Sequence, residues 1–188
     1  MQPSPPGTSI RRAWTRDLGA SEIESIRALL WTAFPPGDEG FTEHDWEHSL
    51  GGLHVLLETT TDPRIVAHAA VVERELHVAG RPLKTGYVEA VATHPRHGGL
   101  GYGSAVMAEI GRSILEAYEL GALGTGRHRF YERLGWQVWR GPTFVRLPDG
   151  DRRTPDEDGD ILVLITPRTP PIDLTDPISC DWRPGDVW

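Results

Sequence analysis

The chain holds one cysteine, Cys180, and two methionines among its 188 residues. A single thiol excludes an internal disulfide framework and suits a reducing compartment such as the cytoplasm. No apolar run approaches the roughly 20 residues that a membrane-spanning helix needs, and residues 1–9 carry no hydrophobic leader core. Positive charge is in deficit, with 19 Lys and Arg against 27 Asp and Glu, a formal net charge of −8. Nucleic acid is therefore an unsuitable partner, because phosphates need a basic face, whereas a cationic ligand is compatible. No Lys-Ser or Lys-Thr follows the glycines of residues 98–103, which excludes a Walker loop there, and no Gly-x-Ser-x-Gly elbow offers a nucleophilic serine. His44 and His48 share a helix face, but no Glu follows His44 and no Cys pair exists, so no metal is expected.

With 38% hydrophobic and 24% charged residues, the chain has the composition of one globular domain long enough for a core. Residues 1–9 read as a disordered lead and 9–15 as a first strand. Ser21-x-x-Glu24 is a capping box for an amphipathic helix to Ala33, with Ile23, Ile26, Leu29 and Leu30 on one face. Thr42 caps a short second helix. After Gly51-Gly52 the pattern becomes that of strands over 53–58, 64–79 and 83–93. A helix over 104–120, a short strand over 121–124 and a short helix over 127–134 follow. Residues 136–147 and 160–165 read as closing strands around the polar loop 148–159. Helices on a mostly antiparallel sheet make an α+β, or mixed α/β, fold over residues 10–165. The segment 166–188 is Pro-rich and aperiodic, yet Trp182, Val187 and Trp188 are a poor composition for disorder, so the tail is expected to dock.

The densest information lies in residues 86–105. A strand leads through His94-Pro95 into Gly98-Gly99-Leu100-Gly101-Tyr102-Gly103-Ser104, which opens a helix. Glycines let the backbone approach an anion, and the free amides and positive dipole of a helix start face it, so this is a recipe for holding a pyrophosphate. A plain connecting turn is the other reading. The dinucleotide fingerprint fits only loosely, since Ser104 takes the third glycine's place. Glu89 sits in the strand just before the loop, within Tyr87-Val88-Glu89-Ala90-Val91. A carboxylate in an apolar strand is costly unless it faces a polar site, so Glu89 is either a base for an incoming amine or an edge residue reaching solvent.

Arg96-x-x-Gly99-x-Gly101 after His94-Pro95 resembles the acetyl-CoA loop of the GNAT N-acetyltransferases, and Phe130-Tyr131-x-x-x-Gly135-Trp136 resembles a later segment of that superfamily. Phe41-Thr42-Glu43-His44-Asp45-Trp46-Glu47-His48, Arg153-Thr154-Pro155-Asp156-Glu157-Asp158-Gly159 and the closing residues 180–188 are similar to one branch, the aminoglycoside 2′-N-acetyltransferases. The resemblance implies the GNAT fold, acetyl-CoA as cosubstrate and a homodimer, with neither nucleic acid nor membrane as partner. It implies Glu89 as a water-mediated base and Tyr131 as the acid that protonates the leaving thiolate. Val91, Ala92, Thr93, Arg96, Gly98, Gly99, Gly101, Tyr102, Gly103 and Ser104 would contact the cofactor. Asp38, Glu39, Asp45, Glu89, Gly124, Thr125, Glu157, Asp186 and the terminal carboxylate of Trp188 would hold a cationic aminoglycoside, with the tail docked near it. The chain departs from the pattern at Gly98, where Arg or Gln is usual, at Glu157, where Asp is usual, and at Gly124-Thr125-Gly126, where serines are expected. The loop 34–41 is also longer than the norm. Gly98 lies on the cofactor side and the other changes on the substrate side, which is therefore more altered than the catalytic side. This leaves room for a different aminoglycoside such as kasugamycin, for another small cationic or peptide amine, or for a non-catalytic module that binds polycations.

Overall fold

The computed structural model of the chain describes residues 4–37 and 40–188, so Asp38 and Glu39 lie outside the described residues. The contacts divide it into two compact units. The first comprises residues up to Val72 together with Val88–Ile110, and the second Glu73–Tyr87 with Gly111–Trp188.

In the first unit, strand β1 (Thr8–Trp14) pairs antiparallel with β2 (Leu53–Thr59), from Thr8↔Thr59 to Trp14↔Leu53. β2 pairs in turn with the opening residues of β3 (Ile65–Val78), and the end of β4 (Arg81–Thr93) lies beyond, where the His94 amide donates to the Val66 carbonyl at 2.9 Å. Helix α1 (Ala20–Ala33) buries Ile26, Leu29 and Leu30, a stripe at helical spacing, against Ala13, Leu18, Trp46, Leu56 and Ala92. α1 begins one residue before the expected Ser21, and Glu22 rather than Glu24 caps it. The Glu22 carboxylate accepts the Gly19 N–H at 2.8 Å and is paired with Arg11 of β1, which holds it over the first turn. Thr42 caps α2 (Glu43–His48) as expected.

The second unit has a mixed sheet. Residues Thr85, Gly86 and Tyr87 of β4 run parallel to β5 (Leu120–Gly124), which is antiparallel to β9 (Ile161–Ile165), and β6 (Gln137–Val138) lies beyond it. On the other side, the end of β3 pairs with β10 (Ile178–Asp181), which is parallel to β7 (Thr143–Leu147), and β8 (Gly150–Arg153) closes that edge. Helix α3 (Tyr102–Ala117) starts in the first unit and ends in the second, where Ile114 and the nearby Tyr118 pack on glycine. A Cβ on Gly86 would come within 2.7 Å of the Tyr118 ring, so only glycine admits this approach. α4 (His128–Glu132) is a single turn and a half. The α+β class expected from the sequence is observed, with two parallel pairs, β4–β5 and β7–β10. Several bounds differ: β1 begins at Thr8, inside the expected disordered lead, and α3 runs from Tyr102 to Ala117 because Leu120 belongs to β5. The strand expected over 136–147 is split into β6 and β7, the polar loop contains β8, and the aperiodic tail contains β10. Among the described residues no helix is long and apolar enough to cross a membrane.

Candidate active site

In the first unit, β4 loses its alternation at Glu89, Ala90 and Val91, all half-buried between buried Val88 and Ala92. The cause is Ala90, whose φ of 53° is left-handed. Such a conformation costs a residue other than glycine about 1–3 kcal/mol, so the surroundings must hold it. Nδ1 of His68 lies 2.8 Å from the Ala90 carbonyl, Nε2 of His68 lies 2.9 Å from Nδ1 of His54, and Nε2 of His54 lies 2.8 Å from the Thr15 hydroxyl. Both rings are fully buried. Burial, followed by the neighbouring His54, pushes the His68 imidazole down to about 3, and burial pushes His54 down to about 4, so both are neutral near pH 7. Glu89 stands immediately before this left-handed residue on β4.

The glycine turn follows. His94 Nδ1 accepts the Arg96 N–H at 3.2 Å and starts a short 3₁₀ turn, Pro95–His97. Gly99 and Gly101 have φ of +77° and +79°, and a Cβ built on either would meet nothing within 4 Å. Bare backbone therefore borders open space at both positions. The first bond of α3 runs from the Ala105 amide to the Gly101 carbonyl at 2.9 Å, so the amides of Tyr102, Gly103 and Ser104 precede the helical ladder. Arg96, Gly98, Gly99 and Gly101 are exposed, while Ala92 is buried and can offer only its backbone. The His97 ring stacks on Tyr102 at 5.7 Å and stiffens the turn.

Asp45, also in the first unit, is committed to the α2 cap. Its carboxylate accepts the Thr42 N–H at 2.7 Å and the Thr42 hydroxyl at 2.9 Å. One oxygen is used there, and the residue remains half-buried at the surface.

In the second unit, Tyr131 on α4 is buried, with its ring edge-on to Phe130 at 4.8 Å and to Trp136 at 6.3 Å. Burial pushes its phenol up to about 12, against a smaller opposite pull from Arg127, so it is a neutral proton donor at physiological pH. The charge of Asp186 acts on Glu157. Burial first, then the charges of Asp186, Asp160 and Asp156, raise the Glu157 carboxyl above its ordinary value. Like charges gathered around Glu157 make a field that favours a cation.

The tail docks within this unit, and two arginines fasten it. Arg74 donates to the Asp181 and Val187 carbonyls at 3.0 and 2.8 Å; Arg183 donates to the Asp186 carbonyl at 2.8 Å and to an oxygen of Trp188 at 3.1 Å. Both guanidiniums lie over the Tyr87 ring, 4.7 and 5.6 Å from its centroid. The Trp188 indole is buried and donates to the Thr154 hydroxyl at 3.0 Å. A Cβ at Gly124 would stand 3.5 Å from the Tyr87 hydroxyl and 3.7 Å from the Trp188 backbone carbonyl carbon. Thr125 is half-buried and accepts the Arg127 N–H at 3.0 Å. Glu157, Asp186, Trp188 and Gly124 thus share one neighbourhood of the second unit.

Three elements escaped the sequence reading: the His54–His68 pair, the Arg183 contact to the Trp188 oxygen, and the aromatic seat at Tyr87. The pair carried a usable signal. His54 and His68 interrupt apolar strands just as Glu89 does, and the register His54↔Ala70 puts His68 on the diagonal of the same face.

Residues 15–139 match the acetyltransferase (GNAT) domain family. An aminoglycoside 2′-N-acetyltransferase of Mycolicibacterium fortuitum is 42% identical over 183 residues, covering 95% of this chain and 91% of that protein. Among solved structures, a GNAT N-acetyltransferase of Escherichia coli in complex with CoA superposes with a TM-score of 0.62 at 17% identity, covering 96% of this chain and 92% of that one. A GNAT acetyltransferase of Brucella melitensis in complex with acetyl-CoA gives 0.57 at 16% identity, covering 88% and 93%.

Proposed function

This chain belongs to the GNAT acetyltransferases, and on that footing we propose that it transfers the acetyl group of acetyl-CoA to the 2′-amine of an aminoglycoside. The observation that carries the reading is the 42% identity to an enzyme of that activity across 95% of the chain. The chemistry of the residues fits both ligands. Gly99 and Gly101 leave backbone bare where a pyrophosphate needs amides, and the acids around Glu157 favour a polycation.

When bound, acetyl-CoA supplies an acetyl group activated as a thioester. Amides from Gly99 to Ser104 receive its pyrophosphate, Arg96 adds charge, and Val91, Ala92 and Thr93 offer backbone groups along β4. In the second unit Glu157, Asp186 and Trp188, with Gly124 and Thr125, receive the drug's ammonium groups, and the same role is assigned in the first unit to Asp45, together with Asp38 and Glu39. Glu89 accepts a proton from the attacking amine, directly or through water. A sugar amine titrating near neutrality needs little base strength, so orientation contributes more than proton abstraction. Tyr131 gives its proton to the departing sulfur. From a phenol at about 12 to a free thiolate of pKa about 8.5 that hand-over is uphill by roughly 5 kcal/mol. Apolar surroundings raise the proton affinity of the sulfur as well, and Tyr131 acts first as a hydrogen-bond donor to the breaking bond.

Acetylation removes one positive charge from the drug and weakens its hold on RNA phosphates, which is the basis of resistance. The same reading carries a cytoplasmic homodimer, tested by light scattering of the purified chain. The activity is tested by CoA-thiol release across aminoglycosides with and without a free 2′-amine, kasugamycin included. Release confined to the 2′-amino drugs is expected. Release only with a different cationic amine would move the acceptor, and binding without release would favour a non-catalytic module.

A further inference from the structure

We propose that His68, braced by His54, is a positioning residue for acetyl transfer: a buried strut that fixes the Ala90–Val91 peptide from behind. The inference rests on the acetyltransferase reading above. It starts from an atom whose role is beyond choice. The Ala90 carbonyl, 2.8 Å from His68 Nδ1, can only accept, so Nδ1 carries the proton. A neutral His68 then has a lone pair on Nε2, which must accept from His54 Nδ1 at 2.9 Å. His54 in turn has its lone pair on Nε2, which takes the Thr15 hydroxyl proton at 2.8 Å. Thr15 also lies 3.2 Å from the Gly52 carbonyl, but its one proton is committed to His54. Both tautomers and the hydroxyl rotor follow from a single carbonyl.

The chain cannot conduct protons, because it ends on a carbonyl that has none to pass on. What it can do is orient. In a trans peptide the C=O and the following N–H point in opposite directions, so a grip on the Ala90 oxygen sets the direction of the Val91 N–H. In the proposed function Val91 offers its backbone to the cofactor, and a fixed N–H aimed at the thioester carbonyl would lower the barrier as charge develops on oxygen. On the face of β2 and β3 that carries the two rings, the neighbouring Leu56 and Ala70 are apolar and buried. Imidazoles in that setting are costly unless hydrogen-bonded, and the inner end of this network serves the left-handed residue next to Glu89.

The test compares His68→Asn, whose amide nitrogen replaces Nδ1, with His68→Leu, which removes the donor. H68L is expected to lower kcat per folded molecule by roughly 10–100-fold, short of the 10²–10³-fold of deleting a donor outright, with the Kd for acetyl-CoA unchanged. H68N should recover most of that loss. A readout without any acceptor is the infrared stretch of ¹³C=O-labelled acetyl-CoA: binding to the wild type should lower its frequency, and H68L should shrink that shift. If H68L does not fold, His54→Phe, which leaves the first link without its brace, should show a partial loss of the same shift. Equal shifts in wild type and variants, or parallel losses in H68L and H68N, would overturn the proposal. A wild type that shifts the carbonyl but acetylates no aminoglycoside would instead overturn the acceptor assignment and leave the strut standing.

Discussion

Acidification from about pH 7.5 to about pH 5 is expected to remove about 4 kcal/mol of folding stability through two side chains. His54 and His68 are held near 4 and 3 in the folded chain, below an ordinary imidazole at about 6.5. Above about pH 6.5 both states are neutral at these positions and nothing is lost. Below it the unfolded chain binds two protons that the folded chain refuses, so stability falls by about 1.4 kcal/mol per pH unit for each ring. At pH 5 that amounts to about 2 kcal/mol each, a value that depends only on both folded imidazoles titrating below pH 5. Against a typical total of 5–15 kcal/mol this is a large fraction, and at an m-value of roughly 2 kcal/mol/M it moves a urea midpoint by about 2 M. Glu157, raised by burial and its acidic neighbours, pulls the other way, because it regains stability as it protonates. Asp158, lowered first by its bond to Arg153, begins to matter only near and below the ordinary carboxylate range. Urea titrations at the two pH values, followed by the fluorescence of the seven tryptophans, measure the loss. The double variant H54N/H68N should flatten the pH dependence by about the predicted amount. An equal midpoint at both pH values in the wild type, or an undiminished slope in the double variant, would refute the assignment of neutral, bonded imidazoles.

Other perturbations separate the remaining roles. Tyr131→Phe should lower kcat by about 10²-fold or more while acetyl-CoA affinity by calorimetry stays put, since the ring contacts to Phe130 and Trp136 survive. Gly99→Ala and Gly101→Ala should each weaken acetyl-CoA binding several-fold and cost about 1 kcal/mol in stability, because the added Cβ enters an open cradle and the backbone is left-handed. Glu157→Gln should raise the KM for a polycationic drug by roughly tenfold with little change in kcat, and should raise the thermal midpoint slightly by relieving the repulsion from Asp186.

What was legible in the sequence had local periodicity or a short-range signature. The α1 stripe, the Thr42 cap, the strands over residues 53–93 and the glycine turn are all encoded by residues within a few positions of each other. β8 was not legible, because all four of its residues are exposed and supply no alternation. Its place is set from outside, by Arg153 and Asp158 bonding one another and Asp158 bonding Thr143 on β7. β10 failed for a related reason: four residues in a Pro-rich tail acquire strand geometry only from β7 and β3, far away in sequence. Of the catalytic candidates, Tyr131 was marked only by its resemblance to a superfamily segment, whereas Glu89 stood out as a carboxylate in an apolar strand. The same rule applied to His54 and His68 would have flagged them, but their partner is a backbone carbonyl on a strand displaced from its ideal conformation, and Ala90 carries no such mark in its identity. Asp45 shows the converse. Its acidity is visible in sequence, whereas the use of one oxygen by Thr42 emerges only from the fold.

The most direct test of the central claim is the position of the acetyl group on a product. A drug bearing several free amines, the 2′-amine among them, should be incubated with this chain and acetyl-CoA and the product solved by two-dimensional NMR. A single acetyl on the 2′-nitrogen is the predicted result; an acetyl on any other nitrogen, or an unmodified drug, would contradict the account.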